Sequence, residues 1–201
     1  MSTEPRTIYT IGHSNQTMEA FLDLLRQHGI EALADVRSAP YSGYVPHFNV
    51  DELQYAILDA GLQYVYLGRE LGGRPDDDSM YDEDGHVLYR RVAESAQFRA
   101  GLERLKEASE RVRVALMCSE EDPDECHRRL LVGRVLIDEG HTILHIRGDG
   151  RLDTEADLPQ HDIEAPTQMS FLSEPGRRET DPWRSTQSVS RRSPPPSSSD
   201  S

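Results

Sequence analysis

The chain has 201 residues, a formal net charge of −14, 36% hydrophobic residues and a single lysine, Lys106, against many arginines, enough for one α/β domain of about 150 residues with a real core. That acidity argues against non-specific coating of nucleic acid and reads as adaptation to concentrated salt, where a Debye length of about 3 Å leaves any anionic ligand to specific contacts. Two cysteines, no signal peptide and no apolar run of membrane-spanning length point to a reducing cytoplasm, free thiols and no membrane contact.

The first strand reads as Thr7 to Ile11 and breaks at Gly12-His13-Ser14. Thr17 is placed to cap a helix from Met18 to His28, with Phe21, Leu22, Leu24 and Leu25 at helical spacing and Gly29 just past the end. Ile30 to Val36 is a second strand that delivers Asp35, Arg37 and Ser38 ahead of Pro40. Residues 41–49, YSGYVPHFN, have turn residues and aromatics without a period, a loop long enough to cover a pocket. Asn49 is placed to cap a helix from Val50 to Ala60, and Leu62 to Leu67 is a third strand running out at Gly68-Arg69-Glu70-Leu71-Gly72-Gly73. The acidic stretch 75–85 reads as a solvated loop, and Ser95 to Glu110 as a helix burying Phe98, Leu102 and Leu105.

Val112, Ala115, Leu116 and Met117 then form an apolar run ending at Cys118, the pattern of a strand covered on both faces. Asp122, Pro123 and Glu125 supply an N-cap, a first-turn proline and a carboxylate three residues after the cap. They predict a helix with Cys126, His127 and Arg128 in its next turn. Thr142 to Ile146 is a last strand. Residues 148–201 read as an acidic, then Ser/Pro/Arg-rich tail, largely disordered, with a pattern near Gln168 to Leu172 too weak to call a helix. Residues beyond about 175 are expected to be dispensable, unless Trp183 anchors them.

Alternating strands and helices over residues 1–147 predict a single α/β domain: a mostly parallel sheet of about five strands flanked by helices, with right-handed crossovers. Ligands bind such sheets outside the carboxyl ends of the strands. Four strands deliver polar groups there: His13 and Ser14; Asp35, Arg37 and Ser38; Arg69 and Glu70; Cys118 and Glu120.

Arg37 and Arg128 are the anion candidates, because guanidinium holds phosphate or carboxylate bidentately. The plainer alternative is an Arg37–Asp35 or Arg128–Glu125 pair. Arg128 also lies well round from the apolar line Cys126, Leu130, Gly133 and Ile137. Asp35 has the backbone N–H groups of the following turn within reach, which would leave the Arg37 guanidinium facing a ligand. Glu70, Glu120, His13 and His127 are the proton carriers on offer.

Cys118 and Cys126 are read as small core residues or as reactive thiols. With His127 they have C-x7-C-H spacing, which matches no zinc knuckle, so no metal is expected. A phosphatase loop would need arginine six residues after Cys118, where Asp124 stands.

GHS at 12–14, DVRSAPYS at 35–42, FNVDEL at 48–53, LGRELGG at 67–73 and LMCSEEDPDECHR at 116–128 resemble, in this order, the family catalogued as domain of unknown function 488. The resemblance spans about residues 7–147. It implies an α/β domain with a polar, cysteine-containing cleft, and an enzyme. The expected function is action on a phosphorylated small molecule, nucleotide or nucleic-acid end, with no cofactor. Alternatives are a non-catalytic module binding an anionic small molecule or nucleotide, with specific nucleic-acid contact, and a thiol-redox or metal protein using Cys118 and Cys126.

Overall fold

The structure is a computed structural model and describes residues 5–159 and 183–188. One six-stranded sheet runs in the order β3-β2-β4-β1-β5-β6. Its strands are β1 (Thr7–Gly12), β2 (Ala32–Asp35), β3 (Gln63–Tyr66), β4 (Val114–Cys118), β5 (Thr142–Ile146) and β6 (Leu152–Thr154). The first five are parallel and β6 pairs antiparallel with β5. The sheet therefore extends beyond residue 147, the expected end of the domain.

Two cores explain the register. On one face, α1 (Met18–Gln27) and α2 (Val50–Asp59) bury Phe21, Leu25, Leu53 and Ile57 against Ile11, Leu33, Ala115 and Met117. On the other, α4 (Tyr89–Glu94), α5 (Ala96–Ser109) and α6 (Arg134–Asp138) cover Ile8, Ala34, Val114 and Leu116. Alternate β4 residues thus serve opposite cores, which is why its sequence is apolar throughout. Thr17 and Ser95 cap α1 and α5 as their positions require.

Asn49 does not cap α2. Its Oδ1 accepts from the Ser42 N–H at 2.7 Å instead and ties down the covering loop. The acidic stretch 75–85 is more than a solvated loop: it holds a short 3₁₀ turn at Asp78–Met80 and a buried Tyr81. A further one-turn helix, α3 (Gly68–Leu71), follows β3.

The largest departure lies after β4. Asp122 does accept the N–H of Asp124, but it starts only a 3₁₀ turn, Pro123–Glu125, and Cys126 is extended (φ −115°, ψ 135°). Regular winding resumes as a π-helical stretch, Arg128–Gly133, that continues into α6. The turn is pinned from outside the helix, because the Arg129 guanidinium binds both Asp124 and Glu155.

Residues 183–188 dock on the domain although they lie beyond the point where the chain was expected to be dispensable. The Trp183 indole N–H donates to the Leu130 carbonyl at 2.7 Å, and Tyr89 N–H donates to the Trp183 carbonyl at 3.0 Å. Ser185 N–H donates to the Val87 carbonyl at 2.9 Å, and Arg184 pairs with Asp82 at 2.6 Å. The weak helical pattern near 168–172 lies outside the described residues. Truncation after residue 182 is expected to lower the melting temperature by roughly 5 °C, on the scale of about 2 kcal/mol for one docked aromatic and its hydrogen bonds. Calorimetry on the truncated chain checks this, and an unchanged melting temperature would restore the dispensable tail.

Candidate functional site

β1, β2 and β4 end together, and the loop after β4 folds back over the end of β1. His13 and Ser14 donate their backbone N–H groups to the carbonyls of Cys118 and Ser119 at 3.0 and 2.9 Å. Gly12 allows this approach, since a Cβ there would sit 1.8 Å from the Glu120 carbonyl oxygen. From the other side the buried Arg128 guanidinium donates to the carbonyls of Glu120 and Glu121 and to Thr10 Oγ1. Its donors face this loop and not a ligand, so the anion role expected of Arg128 gives way to a structural one. The extended Cys126 breaks the helix counted from Asp122 and winding restarts at Arg128, which is why a residue expected at the helix flank points into the core.

The clamped loop presents a cluster. Glu120 Oε2 accepts from both thiols, Cys118 Sγ at 2.9 Å and Cys126 Sγ at 3.2 Å. His127 Nδ1 lies 3.8 and 3.9 Å from the same sulfurs, while its Nε2 is 3.1 Å from the Val36 carbonyl and so carries the proton. Contact with Cys126, then burial, pushes the Cys118 thiol well up. Burial works to raise Cys126 as well, but the Cys118 hydrogen bond and the charges of Arg128 and His127 outweigh it and pull that thiol well below its usual range. His127 is raised, because Cys126 overcomes the effect of burial. The two thiols are thus driven apart in acidity, Cys126 toward the more acidic side and Cys118 toward the less.

A second group lies beside it. Arg37 binds Asp35 bidentately, Nε to Oδ1 at 2.9 Å and the second guanidinium nitrogen to Oδ2 at 2.6 Å, and its remaining nitrogen donates to the Phe48 carbonyl and His13 Nε2. Asp35 also accepts the Arg37 N–H and the Tyr64 hydroxyl. The expectation of a free Arg37 guanidinium is therefore corrected: the backbone N–H on Asp35 is that of Arg37 itself and not of the following turn, and Asp35 still takes the guanidinium. His13 stacks on Phe48 at 4.3 Å, with Nδ1 against the Ser14 carbonyl.

Burial, reinforced by the Arg37 charge, lowers His13 from 6.5 to about 4. A depressed histidine favours folding through its neutral form, so its contribution is complete above about pH 6.5 and is lost as pH falls toward 4. The loss amounts to roughly 3 kcal/mol. Urea melts between those limits are expected to show it, and a His13→Asn variant to lack that share of the slope.

The cleft outside these groups has a volume of about 320 Å³ and is lined by Arg37, Ser38, Arg74, Glu120, Cys126 and His127, among others. Cys118, Ser119 and Tyr89 belong to the same wall, and Ser185, Thr186 and Gln187 of the docked segment close one side. A neighbouring hollow, sharing Arg37 and Ser119, takes His13 and Ser14. Ser38 Oγ accepts the Arg74 N–H at 2.9 Å.

Four expected site residues line neither hollow: Asp35 and Arg128, turned to the partners given above, and Glu70 and Arg69. Glu70 turns to α5 and pairs with Arg104, and Arg69 is exposed, its carbonyl accepting from Gln97. Sequence reasoning missed Arg74, the residue directly after the Gly72-Gly73 pair at which the third-strand motif was ended. It also missed Tyr89 and the segment 185–187. No helix among the described residues is long and apolar enough to cross a membrane.

A doubly wound parallel sheet, with two thiols, an imidazole and a carboxylate gathered at the carboxyl end of its central strand, places the chain among α/β proteins with a cysteine-bearing cleft. The chain belongs to the family described as domain of unknown function DUF488, whose model matches residues 17–135. No curated protein and no solved structure gave a match.

Proposed function

We propose that this protein is an enzyme that acts on a phosphorylated small molecule, nucleotide or nucleic-acid end held in the carboxyl-edge cleft. The observation that carries this reading is the pairing of Arg74 with the cluster across one cavity. Of the two arginines lining it, Arg37 is committed to Asp35, whereas the Arg74 guanidinium has no ion-pair partner among the described residues. A guanidinium without a carboxylate offers its planar fork to a phosphate. Glu120 is solvent-exposed and touches both sulfurs, so it is placed to move a proton between the cluster and a bound substrate. Hydrolysis or group transfer suits this set.

Arg74→Ala is expected to weaken binding of inorganic phosphate or a nucleoside monophosphate by about tenfold or more, the scale of one charge-assisted hydrogen bond. Glu120→Gln should leave that affinity nearly unchanged and reduce turnover by roughly 10²–10⁴. The panel for turnover is phosphorylated metabolites, nucleotides and 5′-phosphorylated oligonucleotides. Binding without turnover of any of them would reduce the protein to an anion-binding module, and an unaffected Arg74→Ala would remove the anion site. The convergence of both sulfurs on one carboxylate oxygen favours a second reading, thiol-redox chemistry. Reversible loss of two titratable thiols under a mild oxidant would support it.

A further inference from the structure

We propose that Cys118, Cys126 and His127 form a binding site for a divalent transition-metal ion of the zinc class, open toward the cleft. The two sulfurs and His127 Nδ1 all lie within 4.8 Å of one another. With zinc–sulfur bonds of about 2.3 Å and zinc–nitrogen bonds of about 2.0–2.1 Å, tetrahedral geometry puts sulfur and nitrogen ligands about 3.5–3.6 Å apart. The observed separations, 3.8 and 3.9 Å, need to close by only a few tenths of an ångström.

The imidazole is oriented as a ligand. A metal-binding histidine typically donates its second ring N–H to a carbonyl or carboxylate, which fixes its tautomer and aims the other lone pair at the ion. His127 Nε2 lies 3.1 Å from the Val36 carbonyl, leaving Nδ1 directed at the sulfurs. Gly73 packs against the ring, where a Cβ would come within 2.7 Å of its Cγ, so the ring plane is held from one side by backbone. Two thiolates and one imidazole are a soft-to-borderline donor set, suited to zinc and its neighbours and unsuited to magnesium or calcium.

The spacing conceals this site because Ser119–Glu125 is not a knuckle. It is the loop clamped between Gly12 and Arg128, and the extended Cys126 brings the second sulfur and His127 back to the end of β4. Three protein ligands leave the fourth position to a water or substrate atom, the arrangement of catalytic rather than structural zinc. Cys118, Cys126 and His127 all line the cavity, and the exposed Glu120 carboxylate borders it beside both sulfurs, outside the three-ligand group. Glu120 is therefore placed to accept a proton from a molecule in that position. On uptake both cysteines bind as thiolates: each proton they carry passes to solvent, a metal–sulfur bond takes the place of each S–H bond, and no oxidation state changes. The site does not depend on the substrate class proposed above.

The test is cobalt and zinc titration of the reduced, chelator-treated full-length protein. One equivalent of Co²⁺ is expected to give the intense visible bands of a tetrahedral site together with thiolate-to-cobalt charge transfer, and Zn²⁺ to displace it. Cys118→Ser, Cys126→Ser and His127→Ala should each lose about a hundredfold or more in affinity, and Glu120→Gln less than about threefold. Absence of uptake by the reduced wild type, or an unchanged cobalt spectrum in Cys126→Ser, would overturn the site. A Glu120→Gln variant as weak as Cys126→Ser would make the carboxylate a ligand and overturn the open position. Should a cysteine variant fail to fold by circular dichroism, the wild-type cobalt spectrum still decides, because it reports sulfur ligation directly. Metal uptake in a protein that binds no phosphate would leave this site standing and remove only the proposed substrate class.

Discussion

Replacing Arg128 with leucine is expected to destabilise the domain by about 3–5 kcal/mol, enough to leave many chains of this size largely unfolded. Arg128 is 1% exposed, and its guanidinium supplies donors to the Glu120 and Glu121 carbonyls, the latter at 2.7 Å. Leucine fills part of the volume and supplies no donor, so both carbonyls are left without this partner, a desolvation penalty of roughly 1–3 kcal/mol each. Lysine, with a single compact donor group, should recover only part of the loss. Urea denaturation of the two variants reads the difference. A leucine variant as stable as the wild type would mean that the loop does not need its clamp.

Gly12→Ala tests the same loop from the opposite side and should be at least as damaging. The added methyl would lie 1.8 Å from the Glu120 carbonyl oxygen and 2.7 Å from Glu121 Cα, both backbone atoms with no side-chain freedom to yield. Relief requires β1 and the loop to part, breaking the His13 and Ser14 hydrogen bonds to Cys118 and Ser119. A cost above about 4 kcal/mol, seen as lost soluble yield or a collapsed melting transition, is the expected result. A folded variant with unchanged melting would contradict the contact.

Much of this was readable in advance, for local reasons. The apolar run ending at Cys118, the cap at Thr17, and the alternation of strands and helices are set by neighbouring residues, so the parallel sheet and its carboxyl edge followed. The same holds for Asp35 and Arg37, two positions apart on one strand end, although which of them the other satisfies was decided by Phe48 and His13, brought in from outside.

What the sequence hid depends on phase and on distance. A helix counted from Asp122 places Arg128 at the flank, but the extended Cys126 breaks that helix, and winding restarts with Arg128 turned inward. Arg74 has no pattern of its own; only the fold shows that its guanidinium lines the cavity without an ion-pair partner among the described residues. Trp183 sits in a stretch whose composition signals disorder, and its binding site is a carbonyl 53 residues away in sequence.

The place of β1 in the sheet has a consequence for synthesis. β1 pairs with Val114–Cys118 on one side and Thr142–Ile146 on the other, so once made it waits for about a hundred residues before either neighbour exists. Pairings so distant in sequence make folding slow and keep unpaired strand edges exposed while the chain grows. The family match, 17–135, begins after β1 and ends before β5. A fragment cut to those limits would present β4 with one bare edge, and its aggregation would reflect the missing strand and not a failure of the cleft.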